Sequence, residues 1–224
     1  MHLTFHGHAC VSLTLPDGAH LALDPGSLSD GAALTDATAV LVTHDHIDHL
    51  DPEPVAEHLR THSGARLWGP ASVVEALTAA GAPAERVQAV TPGDELEIGG
   101  ARVRVGGGAH AEIHPDTPPL PVNVTYLVEA DGKSLYHPGD SYEPPQEVPG
   151  GRLDVLLLPV SGPWMKLREA IDAARSVPAG TVVPIHDGLL SEVGHGLVGR
   201  WLDTARLGGD YTYARLTAGQ SLTV

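Results

Sequence analysis

Cysteine is nearly missing: Cys10 is alone among 224 residues, so no disulfide can form within the chain. The thiol sits in an apolar stretch, where a buried, inert side chain is expected rather than a reactive one or a metal ligand. Basic side chains are few. Thirteen Lys and Arg stand against 28 Asp and Glu, a formal net charge of −15, which repels polyanions over most of the surface and excludes nucleic acid as the expected partner or substrate. A metal site or a local cationic patch can still accept one phosphate or carboxylate. No apolar run approaches the ~20 residues of a membrane span. No basic segment with an apolar core opens the sequence, which goes straight into a strand-like pattern from Met1 to Leu15, so a cytoplasmic location is expected. There is no internal repeat, no low-complexity tail and no signal for an oligomeric state. Residues 1–224 suffice for one large core, and a single domain is the expectation.

What the sequence does hold is concentrated chemistry. Thr43-His44-Asp45-His46-Ile47-Asp48-His49 follows the apolar run Ala39-Val40-Leu41-Val42. Imidazoles and carboxylates at this density are ligands for borderline divalent cations such as Zn²⁺; a solvated His-rich loop is the alternative for any short motif. Residues two apart share a face on an extended chain and point to nearly opposite sides of a helix, so His44 and His46 can share one ion only where the segment leaves its strand extended. Asp51-Pro52-Glu53 then supplies an N-cap, a Pro at the first helical position and an acidic first turn, with Val55 and Leu59 continuing the apolar rhythm. The motif is therefore placed on a strand-to-helix loop. Strands are expected near 2–6, 10–15, 20–24, 39–43, 66–68, 101–106, 123–129, 133–137, 154–158, 181–185 and 211–215, with helices near 52–62, 70–80, 165–176 and 194–205. Periodicity alone supports a mixed α/β protein.

Three later strand-like runs each end in a ligand-type residue: Arg102 to Val105 leads to His110, Ser134 to His137 leads to Asp140, and Thr181 to Ile185 leads to His186. With His-x-His-x-Asp-His, this pattern resembles the metallo-β-lactamase superfamily over nearly the whole chain. The resemblance implies an αβ/βα four-layer sandwich, with His44, His46 and His110 as one metal site, Asp48, His49 and His186 as a second, and Asp140 bridging them. Leu21-Ala22-Leu23-Asp24-Pro25-Gly26 looks like the superfamily's early strand, whose Asp supports the metal loop. Gly7-His8, Asn123 to Tyr126, Asp154 to Pro159 and Ala218 to Leu222 are similar to a subgroup that includes L-ascorbate-6-phosphate lactonase-like proteins and, more distantly, N-acyl-phosphatidylethanolamine phospholipase D.

Two adjacent divalent ions make hydrolysis the expected reaction. Each lowers the pKa of bound water from about 15.7 to about 7, so a metal-bound hydroxide would attack an ester, lactone, amide or phosphodiester of a small or medium substrate. Asp48 and Asp140 are the carboxylates expected to orient its proton, besides being ligands. Zn²⁺ is the first choice, with Mn²⁺ and Fe²⁺ behind it. A metal-binding sensor or partner-binding module without turnover is the alternative; oxidative chemistry of the flavodiiron kind is less suited, because those relatives carry Glu where this chain has His46. His114 lies in the loop from Ala111 to Val122, stiffened by Pro115, Pro118, Pro119 and Pro121, and either reaches the cleft as a proton donor or anion-binding group or is solvated. His8 is either near the metal centre or a hydrogen-bonded core histidine. His137 is expected to brace the Pro138-Gly139-Asp140 turn, and Trp164 and Met165 either wall the site or pack on the core. His2, His20, His58, His62 and His195 are expected at the surface, and Asp187 is expected to be solvated or to brace its loop.

Overall fold

In Leu21-Ala22-Leu23 and Ala39-Val40-Leu41-Val42 every side chain is buried, because strands covered on both faces have no reason to alternate. The computed structural model describes residues 1–204 and 206–224 with their side chains. Its strands are β1 (His2–Gly7), β2 (Cys10–Thr14), β3 (His20–Leu23), β4 (Ala39–Leu41), β5 (Arg66–Gly69), β6 (Val87–Ala89) and β7 (Glu95–Ile98). They continue as β8 (Ala101–Gly107), β9 (Val124–Ala130), β10 (Lys133–His137), β11 (Leu153–Pro159), β12 (Ala179–Ile185), β13 (Thr212–Tyr213) and β14 (Ser221–Thr223). The helices are α1 (Pro52–Thr61), α2 (Ala71–Ala79), α3 (Leu167–Ser176), α4 (Glu192–Leu202) and α5 (Thr204–Leu207).

The strands form two seven-stranded sheets, ordered β14-β1-β2-β3-β4-β5-β6 and β13-β12-β11-β10-β9-β8-β7. Inner faces meet in one core, where Leu3, Leu13, Leu23 and Leu41 of the first sheet join Val103, Tyr126, Leu135 and Leu157 of the second. On the outer face of the first sheet Val40 and Leu67 pack under Val55, Leu59, Val73 and Leu77 of α1 and α2. Leu156 and Val182 do the same under Ala170, Ala174 and Val198 of α3 and α4. The order is helix, sheet, sheet, helix, the expected four-layer sandwich.

α1 starts at Pro52 as expected, although the Asp51 side chain makes no capping hydrogen bond. β6, β7 and β14 are strands the sequence pattern does not announce. β6 is short and largely exposed and β7 reads Glu-Leu-Glu-Ile, so both owe their state to the neighbour they pair with. β14 pairs antiparallel with β1, at the opposite end of the chain. β13 is confined to two residues, Thr212 and Tyr213, rather than 211–215.

Candidate metal centre

β3, β4 and β5 run parallel, as do β10, β11 and β12, while β1 and β8 take the same directions by two antiparallel steps. The C-terminal ends of β1, β3, β4, β8, β10 and β12 therefore deliver His8, Asp24, His44, His110, Asp140 and His186 to one place. His8, Asp24 and His186 sit at φ of 53°, 49° and 55°, a left-handed backbone that costs a non-glycine residue about 1–3 kcal/mol and persists where surroundings impose it. Two other contacts fix the loops. A Cβ on Gly26 would lie 1.9 Å from the Asp48 carbonyl oxygen, so only glycine lets the loop after β3 back the His-rich loop. Buried Asn123 donates to Pro138 O at 2.9 Å and accepts from Asp140 N–H at 2.9 Å, clamping the turn that carries Asp140.

The side chains meet in two groups, His44, His46, His110 and Asp140 in one and His8, Asp48, His49 and His186 in the other, donor atoms within 4.8 Å of one another in each. In three of the rings the Nδ1 proton is directed outward. His49 Nδ1–H donates to Asp24 Oδ2 at 2.7 Å, and His110 Nδ1–H to Ala111 O at 2.7 Å. Thr43 Oγ1–H donates to Asp24 Oδ2 at 2.7 Å, so its oxygen accepts from His44 Nδ1–H at 3.0 Å. Each of these rings is left with a bare Nε2. His44 Nε2 and His46 Nδ1 face each other at 3.0 Å. Nε2 of His49, His110 and His186 and Oδ1 of Asp140 are buried without a hydrogen-bond partner. His49 Nε2 does lie 3.0 Å from Asp140 Oδ1, close enough for an ion pair but not aligned for a hydrogen bond. Buried polar atoms are normally paired, and inward lone pairs beside two carboxylates fit divalent cations.

The electrostatics agree. Burial would lower the His49 imidazole, yet the Asp140 and Asp24 carboxylates raise it to about 10. Burial likewise opposes the charge on His186, and the carboxylates of Asp140 and Asp48, 3.1 and 3.4 Å from its Nε2, raise it to about 9. His44 is pushed well below its usual value by burial and then by the charge on His49. Burial pushes Asp48 and Asp140 up, but their histidine neighbours prevail and hold both well below the carboxylate range. The carboxylates thus favour positive charge at His49 and His186, the charge that a bound cation would supply in place of protons.

The sequence matches the β-lactamase superfamily domain over residues 2–186. It is 37% identical over 201 residues to Protein Rv0786c of Mycobacterium tuberculosis, across 88% of this chain and 89% of that protein. A UPF0173 metal-dependent hydrolase of Methanoregula boonei is 34% identical over 193 residues, 83% of this chain and 82% of its own. The chain belongs to the metallo-β-lactamase superfamily, in its UPF0173 family. The metallo-β-lactamase fold protein YhfI of Bacillus subtilis superposes with a TM-score of 0.75 over 99% of this chain and 98% of that one, at 16% identity, a likeness of fold alone.

Around the UPF0173 centre the remaining predicted residues divide. His8 is buried against it, and its Nδ1 accepts from Gly188 N–H at 3.1 Å. The ring proton is then on Nε2, which donates to Asp48 Oδ2 at 3.0 Å; His8 holds a carboxylate and offers no lone pair inward. His137 is wholly buried, accepts from Gly139 N–H at 3.1 Å and donates to Ala9 O at 3.0 Å, bracing the turn as expected. His114 stays out of both groups. Its side chain is 65% exposed, and its Nδ1 accepts from Asp116 N–H at 3.1 Å. Asp45 turns away to accept from Ser72 Oγ at 3.0 Å.

Other placements correct the sequence reading. His58 and His195 are buried rather than at the surface, because each lies on the inner side of a helix that the strand pattern alone does not orient. For Asp187 burial removes the solvated alternative and leaves the bracing one, with the His195 ring 3.9 Å away. Trp164 is more than an apolar wall: its indole N–H donates to Asp140 Oδ2 at 3.0 Å. No sequence signal marks that bond, which joins residues 24 apart.

Proposed function

We propose that the chain is a metal-dependent hydrolase with a dinuclear centre. His44, His46 and His110 would hold one divalent ion, Asp48, His49 and His186 the other, and Asp140 would lie between them. The observation that carries this reading is the set of imidazoles whose outward protons are anchored and whose inward nitrogens converge beside Asp48 and Asp140. Such ions, when bound, supply Lewis acidity and a water acidic enough to react at neutral pH. The all N/O donor set favours Zn²⁺, with Mn²⁺ and Fe²⁺ as alternatives.

The chain's own groups set the scene for hydrolysis of an ester, lactone, amide or phosphodiester. His8 fixes the rotamer of Asp48 and leaves its other oxygen as an acceptor. Trp164 does the same for Asp140. His114, on the loop that leaves His110, is proposed as the proton donor to the leaving group, a role that goes if His114→Ala leaves kcat and KM unchanged. A lactone like those of the ascorbate-phosphate lactonase-like proteins remains one candidate substrate.

Elemental analysis of protein purified without added metal should find two divalent ions per chain. Asp140→Asn keeps the size and removes the charge, so it should lose metal and at least about 100-fold in kcat/KM; Asp187→Asn, outside both groups, should be much milder. Equal losses in two folded variants, or a fully active Asp140→Asn protein with two ions, would overturn the bridging assignment. Two bound ions with no turnover on lactones, esters or phosphodiesters would favour a metal sensor instead.

A further inference from the structure

The loop from Ala111 to Val122 is more than a connection. Together with His110 it lines an open recess of about 380 Å³, whose walls include Pro115, Pro119, Leu120 and Val122 beside Glu112, His114 and Thr117. The recess begins at a proposed ligand: Ala111 N–H donates to Asp140 O at 2.9 Å, so the first residue of the loop is tied to the turn carrying the bridging carboxylate. Four prolines hold the loop open at little entropic cost, since their φ is fixed before anything binds.

Large apolar side chains are also left exposed around the same edge of the sheets. Leu28, Ile47, Ile113, Val122 and Leu189 are 47%, 58%, 36%, 48% and 64% exposed. Each lies in a loop that leaves a strand end delivering a site residue. Leu28 and Ile47 are neighbours, because Ser27 N–H donates to Ile47 O at 2.8 Å. Lone exposed leucines need no explanation, but several on the loops that leave the ligand-bearing strand ends mark that edge as a binding surface.

Cations are missing from these loops. No Lys or Arg occurs in residues 24–51, 105–132 or 186–199. Arg215 is committed to Glu192 at 2.7 and 3.0 Å, and Lys166 is exposed at the start of α3. Beyond the ions themselves, a phosphate would find no Lys or Arg on these loops to hold it, and a chain of charge −15 offers an anion no long-range attraction.

We infer that the substrate is an uncharged ester, lactone or amide with an apolar arm, and that the Pro-rich recess beside His110 receives this arm while the carbonyl meets the metal centre. The inference rests on the hydrolase reading and narrows its substrate class. Hydrolysis of such a compound joins water's oxygen to the carbonyl carbon, breaks the acyl C–O or C–N bond and passes a water proton to the leaving group, so no further reactant is needed.

The test uses straight-chain alkanehydroxamic acids from two to eight carbons, titrated calorimetrically into zinc-loaded protein. Kd should fall by up to about fourfold per methylene until the recess is full. The Leu120→Ser/Val122→Ser protein, matched in metal content, should lose most of that increment. In parallel, kcat/KM is compared for 4-nitrophenyl acetate, 4-nitrophenyl hexanoate and bis(4-nitrophenyl) phosphate, with the hexanoate expected to lead. Affinity independent of chain length overturns the recess assignment, and a phosphodiester turned over faster than the hexanoate overturns the substrate class. Length-dependent binding with no turnover of any ester would sink the hydrolase reading while the apolar pocket stands. No binding of any hydroxamate overturns both.

Discussion

A metal-ligating imidazole almost always donates the proton on its other ring nitrogen to an acceptor. That residue-scale rule separates His49 and His110, whose Nδ1–H groups are anchored on Asp24 and Ala111 O, from His8, whose Nδ1 accepts from Gly188 N–H. His8 lies as close as the others, but its lone pair points away from the centre. A histidine remote from the centre gives a pH test. His58 Nε2–H donates to Ala37 O at 2.9 Å, and burial lowers its pKa below 6.5. The unfolded chain then takes up the proton first, so the contribution of His58 to stability is present above 6.5 and is lost as pH falls through that value toward the folded-state pKa. His58→Gln keeps an N–H donor and cannot titrate. Its urea midpoint should fall less than the wild-type midpoint on going from about pH 7.5 to about pH 5.5; equal falls would show that His58 does not titrate on unfolding.

At the scale of the elements, the His-rich loop was legible because its ligands are neighbours in sequence and the flanking signals are local: an apolar run before it, and Pro52 at the start of α1 after it. Its support was legible only in part. Asp24-Pro25-Gly26 reads as a turn, and only the fold shows that Gly26 is the floor beneath Asp48. Adding a methyl group there would put a Cβ 1.9 Å from the Asp48 carbonyl oxygen, and backbone cannot rotate aside as a side chain can. Gly26→Ala should therefore displace the segment carrying Asp48 and His49, lowering bound metal by about half or more and stability by about 1–3 kcal/mol. Elemental analysis beside thermal unfolding checks this; unchanged metal content at unchanged Tm would show that the loop yields.

At the scale of the molecule, the centre lies between two sheets and depends on their alignment. Tyr126, on β9, reaches across to the first sheet, where its buried hydroxyl donates to Val42 O at 2.9 Å and lies 3.2 Å from Trp68 O. Trp68 O also accepts from Val42 N–H, so Tyr126→Phe chiefly strands Val42 O, one residue before the metal loop. A lost partner for a buried carbonyl costs about 1–3 kcal/mol, about 2–4 °C in Tm per kcal/mol for a chain of this size. Calorimetry of the variant should show that drop, and a Tm within one degree of wild type would mean that Val42 O finds another donor.

A mixed α/β protein, the strand ends that carry His110, Asp140 and His186, and the character of the donor set were all readable from the residues, and the family resemblance added the sandwich. Apolar runs, turn residues and closely spaced ligands are local patterns, and local patterns survive in one dimension. What depends on direction came from the folded chain: which nitrogen of His8, His44, His49 and His110 carries the proton, that His8 and Trp164 serve carboxylates, that His58, His195 and Asp187 are buried, and that β14 closes the first sheet against β1. Each is set by contact between segments far apart in the chain, where hydrogen-bond geometry and burial, rather than propensity, choose the outcome.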